Sequence, residues 1–165
     1  MYKIIRKTKK QKESANLSDY EKTYKTFKWS SVSSALSRET SNALNAAYIA
    51  VDRHTQTARK NKVALYFESE SGSKKKYTFT DLSNLSNQFA NVLIKHRVER
   101  GERVFLFLPR IPEIYISFLG ILKTGAIAGT MFSAFQEQAL LDRLENSQAK
   151  ILVTTSDLYP RVQKI

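Results

Sequence analysis

The sequence predicts an α/β fold: N-terminal helices and a β-hairpin, followed by the β-α-β-α-β start of a parallel sheet. Three observations carry that prediction. Residues 104–108 are five apolar side chains in a row, Val-Phe-Leu-Phe-Leu, which in a strand means that both faces are covered, as in a parallel sheet. Helix and strand patterns then alternate through residue 154 with connections of a few residues, and such crossovers are right-handed in nearly all cases. Finally, 165 residues with 42% hydrophobic side chains give the composition of one globular domain rather than of a disordered chain.

The first twelve residues hold Lys3, Arg6, Lys7, Lys9, Lys10 and Lys12 without an acid, half of the formal net charge of +12. Residues 1–16 are therefore expected to form a solvated, flexible basic arm, and they lack the apolar core of a secretory signal. Ser18-Asp19-Tyr20-Glu21 reads as a capping box with Ser18 as the cap. It opens a short helix whose Tyr20, Tyr24 and Phe27 share a face, extended by Trp29. The Ser-rich residues 30–41 read as a connector. Asn42 then caps a helix carrying Leu44, Ala47, Tyr48 and Val51 on one side, ended by His54, and residues 55–61 read as a loop. Residues 17–60 together make a helical cap region.

Residues 63–67 and 77–79 are β-rich runs joined by the polar segment 68–76 with Gly72, a hairpin with a long loop. Thr80 or Asp81 caps a helix striped by Leu82, Leu85, Phe89, Val92 and Leu93, and Arg100-Gly101-Glu102 turns the chain into the strand at 104–108. Pro112 at a first helical position and Glu113 in the first turn open a helix over residues 114–122. It is apolar nearly all round, and such a helix must be buried. Residues 126–132 form the next strand, 136–146 an amphipathic helix through Leu140, Leu141 and Leu144, and 151–154 a third strand. Residues 61–165 thus read as a partial α/β domain. Its outer strands and second covering layer are not accounted for, so the sequence looks cut short.

Composition also limits the chemistry. Without cysteine there is no disulfide, no thiolate nucleophile and no Cys-based zinc site, which fits a reducing, cytoplasmic setting. His54 and His96 lie near the ends of predicted helices, where a polar or cationic side chain suits the free carbonyls. No catalytic residue and no metal ligand is expected. Gly120 and Gly125 have phosphate-loop spacing, but Ala126 and Ile127 stand where Lys and Ser/Thr are needed, so the segment reads as a helix end. Residues 115–135 carry only one charge, Lys123. A charge at mid-span costs about 2.5–3.5 kcal/mol, and a break at Gly125 divides the stretch into a buried helix and a buried strand instead of a membrane span. Lys74-Lys75-Lys76 and the basic arm bring no stacking pattern or recognition helix, so they read as solvated charge rather than as a nucleic-acid site.

Tyr77-Thr-Phe-Thr-Asp-Leu82, Gly101-Glu-Arg-Val-Phe-Leu-Phe-Leu-Pro-Arg-Ile-Pro-Glu113 and Leu122-Lys-Thr-Gly-Ala-Ile-Ala-Gly129, running into Phe132-Ser-Ala-Phe135 and Asp142-Arg-Leu-Glu-Asn-Ser147, together resemble the AMP-forming acyl-CoA synthetases of the adenylate-forming ligase superfamily. Asn45-Ala-Ala-Tyr48, Val51-Asp-Arg-His54 and the helix from Asp19 to Trp29 resemble the acetate-CoA ligase branch. The likeness covers about residues 17–160.

It implies an incomplete large N-terminal domain of the adenylate-forming ligase fold. The implied reaction converts ATP, acetate and CoA to acetyl-CoA, AMP and pyrophosphate through acetyl-adenylate, with ATP, CoA and Mg bound by the intact enzyme. The triphosphate loop, the ribose-binding acid and the mobile C-terminal domain of such enzymes are not found among these residues. The chain is therefore expected to be inactive alone, with the remainder of the synthetase as partner. A non-catalytic docking subunit of a split synthetase is the alternative, and a small basic nucleic-acid-binding protein a third. The resemblance also sets Phe132 and Phe135 near the CoA nucleotide and Arg161 within reach of a CoA phosphate. Ser133 and Ala134 depart from the glycines common at that turn, and on the residues alone both phenylalanines read as core.

Overall fold

A computed structural model describes residues 6–36 and 44–165, and the chain divides into two units, residues 1–36 and 37–165. In the first unit, α1 (Lys9–Glu13) is one exposed turn inside the predicted basic arm, closed by a capping box between Thr8 and Gln11. Helix α2 (Tyr20–Thr26) starts from Asp19, whose carboxylate accepts from the Lys22 amide at 3.0 Å. The cap thus lies one residue beyond the predicted Ser18, because a carboxylate at this position meets both the free amides and the positive end of the helix dipole. Tyr20 and Tyr24 stack with centroids 5.9 Å apart, and Phe27 meets Trp29 edge-on at 5.0 Å.

The predicted connector is helical over α3 (Trp29–Leu36). Ser31 returns a hydrogen bond to the Lys28 carbonyl instead of opening the chain. The predicted cap Asn42 lies outside the described residues.

In the second unit Asn45 caps α4 (Ala46–Ala50) through its side-chain oxygen, while its amide nitrogen donates to the Leu122 carbonyl at 2.7 Å. A 3-10 turn, Asp52–Gln56, follows, so His54 sits inside a continued turn rather than at its end. Strands β1 (Val63–Glu68) and β2 (Lys74–Thr78) pair antiparallel as the predicted hairpin, but Lys74, Lys75 and Lys76 belong to β2 and not to the loop, which shortens to residues 69–73, because an edge strand with exposed positions accommodates lysines.

Helix α5 (Phe79–Lys95) is capped by Thr78, two residues before the earliest expected cap. Asp81 is the returning carboxylate of that box, bonded to the Thr78 amide and hydroxyl at 2.9 and 2.7 Å. Those two bonds hold its carboxyl below the ordinary range. The buried face of α5 is Leu82, Ser83, Ser86, Ala90 and Leu93, with Val92 exposed. Small residues line it because a second helix comes close.

Strand β3 (Arg103–Phe107) is central, parallel to β4 (Ile127–Met131) on one side and β5 (Ile151–Thr154) on the other, in the order β4-β3-β5. Helix α6 (Glu113–Thr124) joins α5 over Val104, Leu106 and Ile121. Helix α7 (Glu137–Ser147) covers the opposite face, where Phe107, Met131, Leu140 and Leu158 are buried together. The second layer is therefore present, contrary to the sequence expectation. The right-handed crossovers from β3 to β4 and from β4 to β5 run in opposite lateral directions and so place α6 and α7 on opposite faces. Among the described residues the outer edges of β4 and β5 carry no strand. Gly125, at φ 79°, ends α6 in the left-handed conformation, and no described helix is long and apolar enough to cross a membrane.

Two contacts hold the helical layer. Lys123 Nζ lies 2.7 Å from Asp52 Oδ1 and also donates to Asn87 Oδ1 and the Ser83 carbonyl, at 2.8 and 3.2 Å. Gly120 faces α5 so closely that a Cβ there would stand 2.8 Å from the Ser86 carbonyl. Gly120→Ala is expected to lower unfolding stability by about 1–3 kcal/mol, the usual cost of overpacking, as a lower urea midpoint. Lys123→Ala strands the Asp52 carboxylate and should cost roughly 1–3 kcal/mol or more, whereas Lys150→Ala, across a more exposed pair with Glu102, should cost less than about 1 kcal/mol in the same titration.

Candidate functional site

In doubly wound sheets the ligand crevice lies outside the carboxyl ends of the strands, where the strand order reverses. Here the order reverses between β3 and β5. The turn leaving β4 at the same carboxyl end of the sheet, residues 132–135, is closed by the Phe135 amide donating to the Phe132 carbonyl at 3.0 Å. Gln136 then begins α7.

The three residues singled out from the sequence come together at this turn. Phe132 and Phe135 meet edge to face with centroids 5.9 Å apart. Arg161 Nη1 donates to the Ser133 carbonyl at 2.7 Å and reaches the Phe135 carbonyl at 3.4 Å. This guanidinium clamps the turn backbone, a structural task the sequence did not show. Phe135 packs on the Phe107, Met131, Leu140 and Leu158 cluster, and the Arg143 guanidinium lies 4.2 Å above its ring. Phe132 is 61% exposed, so the core reading is corrected for it: Phe135 fills the space above Met131, and the edge-on geometry turns the Phe132 ring to solvent.

Phe132 and Ser133 form one wall of a cleft of about 850 Å³. Pro109 and Arg110, just beyond β3, and residues 67–71 of the hairpin also line it. Among the described residues the Arg110 side chain has no ion pair or hydrogen bond, while Glu68 across the cleft is engaged by Lys74 at 3.2 Å. At the end of β5 the Thr154 and Thr155 hydroxyls are buried without a partner.

Sequence reasoning missed Arg110, Thr154 and Thr155. The signal available was position, since each follows or ends an apolar strand run. An exposed aromatic ring and an unpaired guanidinium on one cleft, with Glu70 also on its lining, suit a ligand that combines a planar ring with polar and charged groups. Among the described residues no group of three or more His, Asp or Glu is placed to hold a metal ion.

A parallel sheet with helices on both faces and a cleft at its carboxyl ends defines an open α/β ligand-binding unit. A family model described as "AMP-binding enzyme" matches residues 52–165, and the chain belongs to that family. Within it the likeness is to AMP-forming acyl-CoA synthetases. The chain is 49% identical to the acetyl-coenzyme A synthetase of Bacillus subtilis over 148 residues, 89% of this chain and 26% of that protein. It is 42% identical to the 3-hydroxypropionyl-coenzyme A synthetase of Sulfurisphaera tokodaii over 118 residues, 72% of this chain and 18% of the relative. The crystal structure of a Brucella canis acyl-CoA synthetase superimposes with a TM-score of 0.79 at 29% identity, over 88% of this chain and 26% of that one. The chain thus spans about a quarter or less of the length of these relatives.

Arg161→Gln is expected to speed amide hydrogen exchange at residues 133–135 and to lower stability by about 1–3 kcal/mol, the loss of a charged donor to a part-buried carbonyl. Arg110→Gln, with no bond to lose, should change neither.

Proposed function

We propose that the chain is the N-terminal portion of an AMP-forming acetate-CoA ligase. The reaction joins acetate to AMP with release of pyrophosphate, and CoA thiolate then displaces AMP to give acetyl-CoA. The observation that carries this reading is the 49% identity to an acetyl-coenzyme A synthetase across 89% of the chain. CoA would supply the thiol, and Mg would neutralise the phosphates of ATP.

The residues here serve binding. The exposed Phe132 ring offers a stacking face for the CoA adenine, Arg110 a guanidinium for its phosphates, and Arg161 holds the turn that presents Phe132. Nucleotide binding at this turn relies on rigid placement, because a ring already fixed by its neighbours loses little freedom on contact.

Alone, the chain would not turn over, since it spans 26% of the relative. Mixed with ATP, Mg, acetate and CoA, the purified chain should give no acetyl-CoA above the no-protein rate when thioester is followed by chromatography. Sustained turnover would overturn the reading.

A second reading, a docking subunit that completes a sheet with a separately encoded remainder, is favoured by the open edge of β5. Beside it runs a groove of about 510 Å³ lined by Phe89, Val92 and Leu93 of α5 and by residues 150–154. A strand of the remainder would find unpaired backbone groups and an apolar wall there. Co-expression with such a remainder should give one complex on gel filtration that makes acetyl-CoA; separate peaks would count against it.

A further inference from the structure

The segment after Asp52 carries Arg53, His54, Arg59, Lys60 and Lys62 and no acid before Glu68. The 3-10 turn and the loop after it fold the first three of these residues around a surface cavity of about 480 Å³ lined by Arg53, His54, Thr57, Ala58 and Arg59. No carboxylate is on that lining. The two acids nearest along the connected elements are engaged elsewhere: Asp52 with Lys123 and the Ser83 hydroxyl, both at 2.7 Å, and Asp81 with Thr78. Among the described residues neither Arg53 nor Arg59 has an ion pair, and the Nε of Arg53 is buried with no hydrogen-bond partner.

Two arginines on one small cavity repel each other. An oxyanion with several acceptors offsets that repulsion through the outer guanidinium nitrogens, and Arg favours phosphate because its planar fork matches the oxygens. We propose that Arg53, His54 and Arg59 form a site for a phosphoryl anion, separate from the cleft at the strand ends.

The site is built, because each part is fixed from elsewhere. The His54 ring lies 4.8 Å from Phe79, at the first position of α5. Thr57 Oγ1 donates to the His54 carbonyl at 2.9 Å and accepts from the Arg59 amide at 3.1 Å, which pins the loop carrying Arg59 to the turn carrying Arg53. The Lys123 bridge to Asp52 anchors the start of that turn. His54 reports on the cavity: burial first, then the Arg53 and Arg59 charges, hold its pKa below the ordinary histidine value. An anion between the arginines would oppose that electrostatic part.

The test is a titration of the full chain with inorganic phosphate, pyrophosphate or AMP at constant ionic strength, with acetate as a control anion. The readouts are the His54 ring resonances and the melting temperature. Binding by any of the three should shift the His54 resonances saturably, raise its pKa and raise the melting temperature, while acetate does neither. The arm that saturates at the lowest concentration shows whether free phosphate, pyrophosphate or a nucleotide is the better ligand. Arg59→Gln, an exposed change, should weaken binding about tenfold or more, as expected for one charge-assisted hydrogen bond. Arg53→Gln should do the same, and Arg59→Gln carries the test alone if that variant does not fold. Lys95→Gln, an exposed change at the end of α5, should leave binding unchanged. His54 resonances that drift with every anion alike, or binding that survives Arg59→Gln, would overturn the proposal.

Discussion

The burial of β3 on both faces is the constraint on which the second unit depends. Val104 and Leu106 point into one layer and Phe107 into the other, all at 1% exposure or less, and a parallel strand of this kind has no face left for water. It therefore needs two helical layers and two strand neighbours. β4 and β5 fill the two positions beside it, α6 with α5 covers Val104 and Leu106, and α7 with Leu158 covers Phe107. Gly129 shows how tight the arrangement is: a Cβ there would overlap the Phe105 ring on the adjacent strand.

From that centre, polar contacts carry order outward. Asn45 reaches from the start of α4 to the last turn of α6, and Lys123 ties α6 to Asp52 and α5. Lys123 is the residue that keeps the apolar window at 115–135 from reading as a membrane span, and its charge is buried here because three oxygens, of Asp52, Ser83 and Asn87, accept from it. Its partnership with Asp52 has a further effect. The acid nearest in sequence to Arg53 and His54 is withdrawn from them, so positive charge collects on the neighbouring cavity.

At the turn after β4 the division of labour also follows from packing. One phenylalanine fills space above the core and the other, held edge-on to it, faces solvent. The arginine expected to meet a ligand phosphate instead bonds the carbonyls of the turn. With Ser133 and Ala134 in place of smaller residues, the backbone is steadied from outside by a guanidinium. The free cation of the cleft is Arg110, one residue past Pro109, at the end of the central strand.

The strands, the hairpin and the three long helices were legible in the residues, because an unbroken apolar run, an alternating run and a 3.6-residue stripe each bury themselves in one way only. The family was legible because its motifs are local. Caps shifted by one or two residues, as at Asp19 and Thr78, since several hydroxyls and carboxylates in a row can each accept the free amides and the packing of the helix selects among them. The helix at Trp29–Leu36 was hidden for a similar reason, serine being equally able to bond its own turn or to leave it. What only the tertiary structure decided is which side chains face which space: Arg161 onto the turn, Phe132 outward, Arg110 into the cleft, Arg53 and Arg59 onto one cavity. The Arg161 bond joins groups 28 positions apart, the cleft gathers segments at residues 67–71, 109–111 and 132–133, and the orientation of a side chain within a turn depends on what packs beside it, none of which a local pattern encodes.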